Sequence, residues 1–228
     1  MDRVWKETFL MHSRTKEFEE KVLESRRIVR EVLIAYKSYI AYSGGKDSLA
    51  MLHLIIKEDP SVRELHWDYG RYYVPRWLER EIIRNAKALG ADIEVRTSLE
   101  YEIKKREAIG VLGREFIGSV GREMMERGFE CVFLGLRSEE SSRRNIRTKK
   151  HIKRKEMIEC YPIARWSWKD VWAYIVSNNI SYPSIYDKYS KIYGWDKVRL
   201  VTFFDPEFDK FGSSNVDGVL MPEFRFGP

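Results

Sequence analysis

Apolar residues recur along this chain in blocks that alternate between helical and extended spacing. Phe18, Val22, Ile28, Val29, Val32 and Leu33 lie among charged neighbours, so Lys16 to Leu33 predicts an amphipathic helix. The run Tyr39-Ile40-Ala41-Tyr42 then predicts a strand. Leu49, Met51, Leu52, Ile55 and Ile56 mark the buried side of a helix that must stop before Pro60. Val62 to Trp67 predicts a short strand. Beyond Pro75, Arg76 to Leu89 predicts a helix with Leu78, Ile82, Ala86 and Leu89 on one face and Gly90 as its cap, and Asp92 to Arg96 a third strand. Phe116, Ile117, Val120, Met124 and Met125 predict a helix closed by Gly128, and Cys131-Val132-Phe133-Leu134 a fully buried strand ending at Gly135. Further on, Ser167-Trp168-Lys169-Asp170 has the arrangement of a capping box ahead of Val171, Trp172, Tyr174 and Ile175, of which Trp172 and Ile175 predict core. The last fifty residues show no sustained periodicity and predict loops and short elements folded over the site.

Strands and helices that alternate in this way predict an α/β fold: a doubly wound parallel sheet, a Rossmann-like α/β/α sandwich. The expected organisation is an N-terminal helical segment over residues 1–36, a nucleotide-binding domain over 37–188 and an irregular C-terminal extension over 189–228. Ligands of such sheets collect outside the carboxyl ends of the strands. Three of those ends carry glycine or polar residues: Ser43-Gly44-Gly45-Lys46-Asp47-Ser48, Asp68, and Gly135-Leu136-Arg137.

The first of these predicts a phosphate site. Two glycines let the backbone turn sharply and approach a ligand with its N–H groups, and the helix that follows adds its positive dipole end. Lys46 adds a mobile cation. The loop is not a Walker A motif, because Ile40 stands where the leading glycine belongs and Asp47 where Ser or Thr follows the lysine. It also lacks the spacing Gly-x-Gly-x-x-Gly of dinucleotide sites, which points to a mononucleotide.

Composition narrows the remaining choices. A length of 228 residues suits one core with an appendage. The longest apolar stretch, Leu49 to Ile56, is interrupted by His53 and far shorter than the ~20 residues of a membrane span, and Met1 to Lys6 has no leader pattern, so a soluble, cytoplasmic protein is expected. Cys131 and Cys160 are the only cysteines, which gives no support to an iron–sulfur cluster, a zinc ribbon or paired-thiol redox chemistry; both are expected to be small core residues. The net charge of +6 is concentrated: Arg143, Arg144, Arg147, Lys149, Lys150, Lys153, Arg154 and Lys155 fall in one stretch without an acid, and the other 33 basic residues face 35 acidic ones. That stretch can hold a polyanionic substrate, touch a nucleic-acid backbone or be a solvated loop.

Ser43 to Ser48 resembles the PP-loop of the ATP-pyrophosphatase, or adenine nucleotide alpha hydrolase, superfamily. Gly135 to Arg144, Tyr161-Pro162-Ile163-Ala164-Arg165-Trp166 with Asp170-Val171-Trp172, Tyr182-Pro183 and Tyr186-Asp187 narrow the resemblance to the phosphoadenylyl sulfate (PAPS) reductase family. That family includes the small subunit of ATP sulfurylase and a synthetase domain that makes FAD. The resemblance, over about Tyr39 to Lys188, implies an adenine nucleotide with its phosphates on Ser43, Gly44, Gly45, Lys46, Asp47 and Ser48. It further implies ribose and base near strand ends including Asp68 and Gly135, with Arg137, Arg143 and Arg144 gripping phosphate or sulfate. Lys46 and Arg137 are the expected catalytic cations, because guanidinium and ammonium groups stabilise charge that builds up at an attacked α-phosphate. Asp47 can cap the helix, and it or Asp68 can help hold Mg²⁺ if the ligand is ATP.

The departures matter for the reaction. Reductases of the family end on a catalytic cysteine, and here none follows Cys160. Arg165 stands where the family has an acid, and Tyr69 where it has Thr. The first expectation is therefore an enzyme acting at the α-phosphate of ATP, by pyrophosphate release or adenylyl transfer. The alternatives are a sulfonucleotide-binding protein whose thiol comes from a protein partner, a nucleic-acid-associated protein using Arg143 to Lys155, and a non-catalytic nucleotide sensor.

Overall fold

The computed structural model describes residues 1–70, 74–97, 99, 103, 120–153 and 156–200. Phe116, Ile117, Arg154, Lys155 and the extension beyond residue 200 lie outside that set. Two helices open the chain, α1 (Arg3–His12) and α2 (Lys16–Ala35). Then come β1 (Ser38–Tyr42), α3 (Lys46–Glu58), β2 (Arg63–Asp68), α4 (Arg76–Ala88) and β3 (Ile93–Thr97). After these follow α5 (Gly121–Glu126), β4 (Cys131–Leu134), a 3₁₀ turn at Ser138–Glu140, α6 (Ser142–Thr148), β5 (Ile152–Lys153), β6 (Ile158–Cys160), α7 (Trp168–Ser177) and α8 (Ile185–Tyr193).

The strands form one sheet in the order β3-β2-β1-β4-β6-β5. Five run parallel, as the pattern of alternating elements predicts, and β5 adds a short antiparallel edge. From β1 the chain steps outward through β2 to β3, then returns to place β4 on the other side of β1. The order therefore reverses between β1 and β4, and a crevice opens at their carboxyl ends.

Side chains along each strand alternate between two cores. Ile40, Tyr42, Cys131 and Phe133 face the larger one, shared with α2, α3, α4 and α7. Tyr39, Leu65 and Val132 face a smaller one with Val120, Met124 and Phe129. Both cysteines are fully buried, as expected, and burial pushes the Cys131 thiol up to about 12 and that of Cys160 well above its ordinary value.

The N-terminal helices are part of the larger core. Phe9 stacks on Trp172 with ring centroids 6.3 Å apart and meets Trp195 edge-on. Asp170 completes the predicted capping box, accepting from the Ser167 amide at 2.6 Å. It also accepts from Lys21 Nζ at 2.9 Å and lies 2.7 Å from His12 Nε2, so one buried carboxylate joins α1, α2 and α7. Helix α1 lies inside the helical segment expected over residues 1–36, although the apolar pattern marked only Lys16 to Leu33, because Val4 and Met11 on the outer side of α1 are exposed and blur the stripe.

Glu64, in the middle of β2, is 1% exposed, and its Oε1 has no hydrogen-bond partner. Burial raises its carboxyl to about 7, with a backbone amide of Asp92 opposing. The folded chain thus holds this proton more tightly than the unfolded one, so its effect on stability is most favourable below pH 4.5 and is lost as pH rises toward 7. Glu64→Gln is expected to raise stability by about 1–3 kcal/mol at pH 8 and by little at pH 4. Urea unfolding at both pH values checks this, and equal effects at the two would show that the carboxyl does not titrate in the fold.

Candidate functional site

Ser43 to Ser48 leave β1 and enter α3 by way of Gly44, whose φ of +79° belongs to the left-handed region. A Cβ there would lie 2.5 Å from the Ile82 side chain, so α4 packs directly under the turn. Ser48 ties the loop together: its Oγ receives the Ser43 amide at 3.3 Å and the Ser43 hydroxyl at 3.0 Å and donates to the Gly45 carbonyl at 2.9 Å. Gly45 is the N-cap of α3 and supplies no side-chain cap. The amides of Gly45, Lys46, Asp47 and Ser48 therefore open the helix without an intrahelical acceptor. That of Lys46 donates to the Tyr186 hydroxyl at 2.8 Å.

The second strand end closes on the first. A Cβ on Gly135 would lie 3.0 Å from both the Ser48 amide nitrogen and its Cα, a contact that backbone cannot relieve. Glycine lets the chain leaving β4 touch the start of α3.

Charge is arranged in two layers. Lys46 is 2% exposed and its Nζ lies 3.1 Å from Asp47 Oδ2, so the cation expected to be mobile is held in place. Arg137, 3% exposed, places Nε 2.5 Å from Asp47 Oδ1 and Nη1 3.4 Å from the Trp166 carbonyl. Burial alone would raise the Asp47 carboxyl, but Arg137 and Lys46 reverse this and hold it far below the ordinary range. Burial lowers Lys46, with Asp47 opposing. In front of this layer Glu140 bonds to Arg144, receives the Arg137 amide at 3.1 Å, and through its backbone carbonyl accepts from Arg199 at 3.2 Å.

Two adjoining cavities result. One, of about 120 Å³, is lined by Ser43, Gly45, Lys46, Arg144, Tyr186 and Arg199 among others. The other, of about 160 Å³, is largely apolar and is lined by Trp67, Tyr69, Leu134 and Leu136 among others. They share Ser43, Ser48, Gly135 and Leu136. A polar cradle that continues into an apolar cavity fits a phosphorylated ring compound.

The sequence model of the phosphoadenosine phosphosulfate reductase domain matches residues 37–200. The chain belongs to this family. Among curated proteins, a sulfate adenylyltransferase subunit 2 of a Sulfurovum species is 28% identical over 206 residues, covering 72% of this chain and 64% of its own length. The protein of the same name from a Mycobacterium species is 26% identical over 200 residues, with 72% and 62% covered. The chain thus spans somewhat under two thirds of these relatives. Among solved structures, a phosphoadenylyl-sulfate reductase of Candida auris in a phosphate complex shares the fold, with a TM-score of 0.54, 19% identity, and 76% of this chain and 92% of that one covered.

Within this member of the family, the structure gathers the PP-loop residues, Gly135 and Arg144 at one crevice. Arg137 lies behind the loop and braces Asp47 without lining either cavity. Arg143 is exposed on the outer side of α6. Asp68 is held by Arg76, at 2.6 and 2.8 Å, and accepts the Gly70 amide at 2.7 Å. Both oxygens of Asp47 and of Asp68 are engaged by cationic side chains, so these carboxylates do not fit the role of Mg²⁺ ligands. No group of three or more His, Cys, Asp or Glu gathers as a metal site among the described residues. Of the basic run, Arg147 binds Glu159 at 3.0 Å, while Lys149 and Lys150 are exposed.

Three contributors went unread in the sequence. Arg199 carried no local signal. Tyr186 stood in a family motif without a role. His66, beneath the loop, lies 2.8 Å from the Tyr42 carbonyl and 2.6 Å from Glu79 Oε1. Burial disfavours a charged imidazole there, but Glu79 prevails and raises it.

Two outcomes follow from this geometry. Gly135→Ala is expected to cost about 1–3 kcal/mol of stability, because the start of α3 must shift; urea unfolding measures the effect, and unchanged stability would refute the close approach. Stabilisation by the His66 imidazolium is fully present below its ordinary value of 6.5 and is lost as pH rises through the raised folded value. Glu79→Gln should therefore destabilise by about 3 kcal/mol at pH 5.5 and by less at alkaline pH. A gap between variant and wild type that grows with pH would contradict the pairing.

Proposed function

We propose that the chain binds ATP at this crevice and acts on its α-phosphate, transferring the adenylyl group to an oxyanion acceptor with release of pyrophosphate. The observation that carries the reading is the continuity of the two cavities: the apolar one takes the adenine ring, and the cradle of loop amides, Lys46 and Arg144 takes the phosphates. In the reaction an acceptor oxygen forms a bond to the α-phosphorus while the bond to the pyrophosphate oxygen breaks. The charge that accumulates on the departing oxygens is met by the amides at the start of α3 and by fixed cations that need no reorganisation.

The name of the curated relatives, sulfate adenylyltransferase subunit 2, supports sulfate as the acceptor and a second protein as partner. A reductase reading finds less support, because both cysteines are buried with raised thiols and neither lines the cavities. For the basic run as a nucleic-acid contact no observation speaks: Arg144 turns to the cavity and Arg147 is bound by Glu159. No helix among the described residues is long and apolar enough to cross a membrane.

Thermal unfolding of the full chain with ATP or phosphoadenylyl sulfate tests the proposal, since a ligand at ~100 times its Kd stabilises by ~2.7 kcal/mol. The expected result is a larger upshift with ATP, reduced about tenfold in affinity by Lys46→Ala and by Arg144→Ala, and pyrophosphate release that depends on both side chains. An upshift with the sulfonucleotide alone would replace the ATP reading, and none with either would remove both.

A further inference from the structure

The Tyr186 hydroxyl occupies an unusual place at the phosphate loop. It receives the Lys46 amide at 2.8 Å, the first of the helical amides that would otherwise face an anion. A hydroxyl that accepts one hydrogen bond still has its own proton to donate. Tyr186 is 1% exposed, and among the described residues its oxygen has no further partner. Yet it lines the polar cavity together with Lys46 and Arg144, and a Cβ on Gly45 would lie 3.6 Å from the phenol oxygen. The hydroxyl therefore sits on the inner surface of the cradle with a buried donor that no atom of the described residues satisfies. Leaving such a donor unsatisfied is unfavourable, and buried polar groups are nearly always paired.

Its ring is packed in the core. The Tyr186 ring meets Trp172 edge-on at a centroid distance of 5.2 Å, and Trp172 is fully buried. Burial, reinforced by the negative charge of Asp47, keeps the phenol protonated, so it remains a donor at any physiological pH.

We propose that Tyr186 is a phosphate ligand: its hydroxyl accepts the Lys46 amide and donates its proton to a phosphoryl oxygen bound in the cavity. This rests on reading the cavity as a phosphate site. In this arrangement the phenol passes the polarisation of the helix terminus on to the ligand and extends its reach beyond that of a backbone N–H. Since an O–H in line with both groups prefers an acceptor that carries charge, the residue favours phosphoryl oxygens over neutral ones. A cap of helix α3 alone would need only the acceptor half of this chemistry, and the two roles separate experimentally.

The probes are inorganic pyrophosphate, ATP and adenosine, titrated against the full chain. Tyr186→Phe keeps the ring and is expected to weaken pyrophosphate and ATP about tenfold or more, with adenosine unchanged. Incorporation of 3-fluorotyrosine at position 186 makes the hydroxyl a stronger donor and a poorer acceptor, so a phosphate ligand predicts tighter pyrophosphate binding, whereas a mere cap predicts binding that is unchanged or weaker. Tightening supports the proposal even if the phenylalanine variant fails to fold. Unchanged or weaker binding with fluorotyrosine overturns it. Wild-type chain that binds neither ATP nor pyrophosphate overturns instead the reading of the cavity on which it rests.

Discussion

The contact of Gly135 with the backbone of Ser48 is the constraint on which the rest of the crevice depends. It exists because the sheet reverses its order between β1 and β4, which brings two carboxyl ends side by side. Both cavities are bounded by this junction, and Ser43, Ser48, Gly135 and Leu136 belong to each. A side chain at position 135 would separate the strand ends and uncouple the polar cradle from the apolar cavity.

Behind that junction the loop is held by charge. Asp47 is gripped by Lys46 and Arg137, Arg137 reaches the Trp166 carbonyl, and His66 supports the Tyr42 carbonyl from below with Glu79 at its other nitrogen. These buried groups are mutually satisfied, which makes the loop rigid before any ligand arrives. The arginines in front, Arg144 and Arg199, are matched by Glu140 and sit nearer the open side of the cavity. Rigid cations behind and partnered ones in front present positive charge to the cavity without reorganising its base, as the proposed phosphate binding requires.

Much of this was legible in the chain. Cys131 to Leu134 are uniformly apolar because both faces of β4 are covered, and Gly44 marks the turn because a side chain there would collide with Ile82. The loop chemistry of Ser43 to Ser48 was readable for the same reason: its demands are local. What sequence pattern could not give was direction. Arg137 and Arg144 look alike along the chain, yet one is turned inward by Asp47 and Trp166, 90 and 29 residues away, and the other toward the cavity. Helix α8 falls in the stretch read as loops and short elements, where it was not singled out because its stripe, Tyr186, Tyr189 and Tyr193, is built of residues that count as polar in a simple pattern. Asp68 looked like a ligand of metal or ribose and is instead the anchor of Arg76 at the head of α4.

The aromatic stack under the site gives helix α1 a meaning that its distance from the loop conceals. Phe9 lies on Trp172, Trp172 on Tyr186, and Tyr186 holds the first amide of α3. Helix α1 is therefore masonry in the foundation of the crevice. A fusion, tag or trimmed start that moves Phe9 reaches the phosphate loop through two rings, so the boundaries chosen for expressing this chain belong to its chemistry as much as to its handling.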